Sequence, residues 1–210
     1  MSTLHRYADI LDIQFPDRFE PKPLNRKRIN PLRKHAIFPD TLLRKDALVT
    51  PAGFWPHEIS LPLSLLTDRP LVVAFFSVHW NRYGIDLLQQ LQSLHQDVKV
   101  MGGRLLVIAA EGEQALRPLV EKYQLTFPIL HDRNNAIAAL AGLYEKQDPI
   151  WDRVSGVDAD VPIPATYVIN PAQQVSFAAV DPYLQHKLDQ RALLSAVYDA
   201  REQLQRVQVA

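Results

Sequence analysis

The segment Ser77-Val78-His79-Trp80-Asn81-Arg82-Tyr83-Gly84 gathers most of the candidate chemistry of this chain. It follows the continuous apolar run Leu71–Phe76 and precedes apolar residues at helical spacing from Ile85 to Val98. It therefore belongs where a strand ends and a helix begins, and free N–H groups in a first helical turn stabilise negative charge. Asn81 suits the N-cap position, because its side-chain oxygen can accept a bond from a first-turn N–H. The competing functional reading has those N–H groups, helped by Arg82, holding an anion or a carboxylate. His79 and Glu111 would share that rim, since both follow strand ends, where α/β proteins place ligands. Trp80 and Tyr83 suit either the lining of a shallow apolar pocket or plain packing. Ser77 beside His79 is poor evidence for a hydrolase, because two-residue spacing on an extended segment does not bring a nucleophile and base together.

The chain has no cysteine. That rules out disulfides, thiolate zinc sites and iron–sulfur clusters. Met1 and Met101 are thioethers and form no disulfide. The seven histidines show no ligand spacing, so neither a metal nor another cofactor is expected. There is no Gly-x-Ser-x-Gly elbow, and Gly102-Gly103 precedes a strand pattern, where a phosphate loop would lead into a helix. The 23 basic and 23 acidic residues balance, so nucleic acid is an unlikely partner on charge grounds. No apolar run approaches the ~20 residues of a membrane span, and residues 1–15 lack the order of a secretory signal. A cytoplasmic location is the expectation.

The elements that must position the junction read clearly. Leu71–Phe76 predicts a central strand and Arg104–Ala110 a second buried one. Ile85–Val98 and Glu113–Tyr123 predict helices, with Pro118 a misfit inside the latter. Gly102-Gly103 closes the first of these helices. Phe127–Leu130 predicts a short edge strand and Asn134–Leu143 a small helix. Residues 144–161 read as a polar insertion loop, Thr166–Asn170 and Val175–Val180 as a hairpin, and Lys187–Val207 as a final helix. Residues 1–45 differ: five prolines interrupt them, and Arg26, Lys27, Arg28, Arg33 and Lys34 form a basic cluster. We read 1–45 as an N-terminal arm, solvated and wrapped on the surface, whose Phe15, Phe19, Ile29, Leu32, Ile37 and Phe38 pack on its own domain or on a second subunit. Residues 46–210 form one α/β domain, opening with a hairpin or loop turned at Thr50-Pro51-Ala52-Gly53, with helices on both faces of a sheet.

From about residue 46 to 200 the chain resembles the thioredoxin-fold peroxiredoxins, the alkyl hydroperoxide reductase C/thiol-specific antioxidant family. VVAFFSVHWNRYG is similar to the family strand that runs into a Trp-Cys-Pro-Tyr-Cys loop. Trp80 and Tyr83 match, while Asn81, Arg82 and Gly84 stand where the first cysteine, the proline and the second cysteine would be. LTFPILHDRNNAIAALAGL, VPIPATYVIN and FAAVDPYL follow in the family's order, and Pro164 aligns with its cis-proline. The resemblance implies a thioredoxin-like, three-layer sandwich with a central mixed sheet and an N-terminal arm. It also implies hydroperoxide reduction or thiol–disulfide exchange, which needs the thiolate this chain lacks. The expectation is a pseudoenzyme: a binding or assembly protein gripping a peptide or protein partner at the Asn81/Pro164 surface, with Thr166 beside it, and forming a homodimer. The alternative is an antioxidant oxidoreductase working with an external thiol or cofactor.

Overall fold

The computed structural model describes residues 26–50 and 60–209, with side chains to 206. Expected residues Phe15, Phe19 and the Pro51–Gly53 part of the turn lie outside these. Among the described residues, seven strands and four α-helices follow one another: β1 (Leu42–Leu43), β2 (Leu61–Pro62), β3 (Leu71–Phe76), α1 (Asn81–Val100), β4 (Arg104–Ala109), α2 (Glu113–Tyr123), β5 (Ile129–His131), α3 (Ala136–Leu140), β6 (Ala165–Ile169), β7 (Val175–Val180) and α4 (Gln190–Val209). β1 and β2 form a small antiparallel pair. The main sheet has the order β5-β4-β3-β6-β7. β3, β4 and β5 run parallel, and β6 and β7 return antiparallel. The arrangement is the thioredoxin-like mixed sheet between two covering layers.

β3 is the central strand, and all six of its residues are buried. Burial on both faces explains why it reads as an unbroken apolar run. Alternation along the strand then divides the two layers. Phe76 meets Trp80 edge-on and lies beside Gly84, so it faces α1. Phe75 and its cross-strand neighbour Tyr167 meet edge-on, and Tyr167 in turn meets Phe38. α1 and α4 pack on each other, and Gln92 and His95 of α1 bond the turn after α2 at Gln124 and Thr126. α1 ends as expected: Gly102 takes φ +78, and the Gly102 and Gly103 N–H groups donate to Lys99 and Val98 carbonyls.

α2 runs through Pro118 without a break. The ring is solvent-exposed, so the Gln114 carbonyl deprived of a partner there faces water instead of core.

Residues 26–43 lie on the far layer. The Asn30 and Leu32 N–H groups donate to the Gly142 and Ala141 carbonyls, and those of His35 and Phe38 to Val175 and Gln173. Phe38 and Leu43 are fully buried. Burying such a side chain contributes about 1.5–3 kcal/mol. The 144–161 loop meets the start of this segment through charge. Asp148, itself buried, accepts the Ile29 N–H and pairs with Arg26 and Arg153, while Lys27 pairs with Glu145.

Candidate functional site

At the C-terminal end of β3 the chain makes a single 3₁₀ turn, Val78–Trp80, before α1. The turn is fastened from beneath. Ser77 is fully buried; its hydroxyl donates to Glu111 Oε1 at 2.6 Å and accepts the His79 N–H at 3.1 Å. Glu111 Oε2 accepts the Val78 N–H at 3.1 Å. Parallel pairing of β3 with β4 sets Phe76 opposite Ala109 and so brings Ser77 and Glu111 together. The pair holds the junction in place, and Ser77 is closed to any substrate.

Trp80 is 1 % exposed. Its indole packs edge-on against Phe76 and Tyr83 and donates through Nε1 to the Pro162 carbonyl at 3.1 Å. It is a packing residue that ties the junction to the strand leading into β6. Asn81 differs from expectation. It takes φ 51, ψ −127, a left-handed conformation that side chains rarely adopt, and its side chain caps no N–H of α1. Nδ2 donates instead to the Gly156 carbonyl at 3.2 Å, because the turn aims the side chain outward, toward the 144–161 loop. Gly84 is buried, and a Cβ there would lie 2.8 Å from the Ser77 carbonyl oxygen and 3.0 Å from the Phe76 ring.

Around Pro164 no peptide bond is cis among the described residues, so the bond before Pro164 is trans and the expected cis-proline is corrected. The segment is held in this form by the Trp80 bond to Pro162, by the Ile163 N–H donating to Leu143 and by the Pro164 carbonyl accepting the Asp181 N–H. The Ile163 N–H is the only one between Pro162 and Pro164 and is already used, so this stretch offers no donor to an added strand.

The family model of the AhpC/TSA family matches residues 56–178. The chain belongs to the AhpC/TSA family. Among solved structures it is similar to the peroxidoxin BcpB of Mycobacterium tuberculosis, at 14 % identity and TM-score 0.59 over 81 % of this chain and 97 % of that one. It is similar also to AhpC of Mycobacterium tuberculosis, at 14 % identity and TM-score 0.60 over 82 % and 94 %. Peroxiredoxin Q of Xanthomonas campestris matches at 16 % identity and TM-score 0.53 over 67 % and 84 %. A search of curated proteins gave no match. At these identities the structural likeness carries the fold. This AhpC/TSA member differs from a thiol enzyme in having no cysteine anywhere in its 210 residues.

Most of the expected site residues of this AhpC/TSA member line one of two surfaces. On one side a groove of about 260 Å³ has an apolar wall of Tyr83, Leu87, Leu184 and Leu188, edged by the polar side chains of Arg82, Asp86, Gln90, Gln185, His186 and Lys187. It adjoins a smaller hollow of about 110 Å³ formed by Pro164, Thr166 and Asp181. The Arg82 side chain is 94 % exposed and lies 3.9 Å from Asp86. Burial, then the carboxylate of hydrogen-bonded Asp181, push the Tyr83 phenol up, so it stays protonated. Asp181 accepts the N–H groups of Tyr183, Gln185 and His186 and shapes the groove's far wall. On the other side, His79 and Glu111 line a polar cleft with His131, Asn134, Tyr144 and Asp160. Arg82 lines the groove, while His79 and Glu111 line the cleft. Among the described residues no group of three or more His, Asp or Glu side chains is placed to hold a metal ion. No helix there is long and apolar enough to cross a membrane.

Sequence reading missed Asp181, Gly156, Tyr144 and Asp160. Only the Asp181-Pro182 turn carried a local signal.

Proposed function

We propose that this cysteine-free AhpC/TSA member is a cytoplasmic, non-catalytic binding or assembly protein that takes a protein or peptide partner in the groove beside the emptied site. One observation carries the reading: the position of the second family thiol has no room for a side chain, while the apolar surface next to it stays open. Gly84 faces the Ser77 carbonyl at a distance no Cβ tolerates. Tyr83, Leu87, Leu184 and Leu188 nonetheless leave a concave apolar wall, the kind of surface that accepts an apolar anchor from a partner. A homodimer is part of this proposal, although the arm already pairs with β7 at Val175 through His35 and Ala36.

The test begins with panning a peptide library on the full chain. Selected peptides are expected to lose affinity at least tenfold with Tyr83→Ala or Leu188→Ala, and to broaden groove resonances in NMR spectra. Peptides insensitive to both variants would end the groove reading. A coupled hydroperoxide assay decides the chemistry. No turnover is expected with the protein alone, and turnover with thioredoxin or glutathione as reductant would favour the oxidoreductase alternative.

A further inference from the structure

We infer that the polar cleft behind His79 is a separate site for a small zwitterion, a molecule carrying both a carboxylate and an ammonium group such as a short free peptide. The cleft, about 560 Å³, is bounded by His79, Glu111, His131, Asn134, Tyr144 and Lys146, with Asp160 at its rim. It lies past the C-terminal ends of the parallel strands β3, β4 and β5, where sheets of this class hold ligands. Its volume falls in the range of small-molecule sites.

Opposite charges share this cleft without pairing with each other. Glu111 is taken up by Ser77 and Val78, and Asp160 accepts the Tyr144 hydroxyl at 2.6 Å. Neither makes an ion pair with Lys146, and Lys146 makes none with any described residue. The Asp160 carboxylate keeps lone pairs for a ligand ammonium. Lys146, with the His79 and His131 rings, supplies donors for a ligand carboxylate. A ligand of one sign would satisfy one set and face the other as a like charge. A ligand bearing both satisfies the two together.

The walls are fixed in advance. Asn134 and Asn135 both take left-handed conformations, φ 60 and φ 54, a strained pairing that persists only where its surroundings impose it. Asp132 imposes it from below by accepting the Ile137 and Ala138 N–H groups at 2.9 Å, and Asn135 Nδ2 donates to the Asp160 carbonyl at 2.9 Å. Gly112 sits against the His131 ring, which a Cβ at 3.3 Å would press upon.

Isothermal titration of the full chain with three matched probes tests the proposal: glycylglycine, its N-acetyl form, which lacks the ammonium, and its C-terminal amide, which lacks the carboxylate. Glycylglycine is expected to bind, and each blocked form to bind at least tenfold more weakly. Lys146→Ala should abolish the preference for glycylglycine over its amide. Asp160→Asn should abolish the preference over the N-acetyl form, and circular dichroism checks that both variants fold. Absence of binding by all three probes, or equal binding of free and blocked forms, overturns the proposal. Groove variant Leu188→Ala should leave glycylglycine affinity unchanged, so the outcome is independent of the peptide-groove reading.

Discussion

Replacing Gly84 by alanine sets two opposed effects against each other. Alanine in a helix is favoured over glycine by about 0.8–1 kcal/mol, and it narrows the unfolded ensemble as well. Against that, the new Cβ would stand 2.8 Å from the Ser77 carbonyl oxygen, 3.0 Å from Phe76 Cε2 and 3.5 Å from Trp80 Cβ. The nearest of these is backbone and cannot rotate away. Ser77 is held by its bond to Glu111 and by the Trp80 N–H donating to its carbonyl at 3.3 Å, so relief requires moving the end of β3 or the start of α1. Overpacking of this kind costs about 1–3 kcal/mol. The net expectation is a loss of about 0.5–2 kcal/mol, which for a chain of this size lowers Tm by roughly 1–8 °C. Calorimetry and urea denaturation measure it, with Ser93→Ala on the exposed face of α1 as a propensity control expected to fall within about 0.5 kcal/mol of wild type. Gly84→Cys should lose at least as much as Gly84→Ala. A Gly84→Ala variant as stable as wild type, or more so, would refute the argument that this position has been closed to a thiol.

Phe38→Ala should cost about 3–5 kcal/mol in urea denaturation, because the ring is fully buried between the arm and Tyr167; a loss under about 1 kcal/mol would mean the arm is dispensable. Trp80→Phe keeps an aromatic ring but strands the Pro162 carbonyl, so a loss of about 1–3 kcal/mol is expected, measured the same way. His95 has its pKa lowered first by burial and then by Lys99, so the unfolded chain binds its proton more tightly than the folded one. Its contribution is therefore level above the ordinary histidine value of about 6.5 and declines as pH falls through that value toward the lower folded one. His95→Gln should flatten this part of the stability–pH curve, and an unchanged slope would contradict the burial argument.

The parts of the fold legible in sequence are those whose signal is local. β3 and β4 are buried on both faces and read as apolar runs; α1 shows its buried stripe at Leu87, Leu88, Leu91, Leu94 and Val98, and the hairpin of β6 and β7 announces itself at Pro171-Ala172-Gln173. What was illegible is non-local. Ser77 and Glu111 meet across 34 positions only because β3 and β4 pair in a particular parallel register. The 144–161 loop reads as a polar insertion, yet Asp148 is buried between Arg26 and Arg153 and Gly156 receives Asn81. Asn81 itself shows the limit of a propensity argument. Asparagine favours caps and also tolerates left-handed backbone, and the turn at Val78–Trp80 selects the second use.

These assignments together explain why a scaffold emptied of sulfur keeps a well-defined junction. In a reactive site the groups around the nucleophile are partly unspent, because they must bond the changing charge of the reaction. Here they are spent on structure: Ser77 on Glu111, Glu111 on the Val78 N–H, Trp80 on Pro162, Asn81 on Gly156, and the Ile163 N–H on Leu143. The junction contributes to two concavities, one lined by Tyr83 and Leu188 and the other by His79 and His131. Preorganised concave surfaces bind with less ordering cost than mobile ones. On the proposed reading, a junction whose polar groups are committed in this way holds its two surfaces ready to recognise partners.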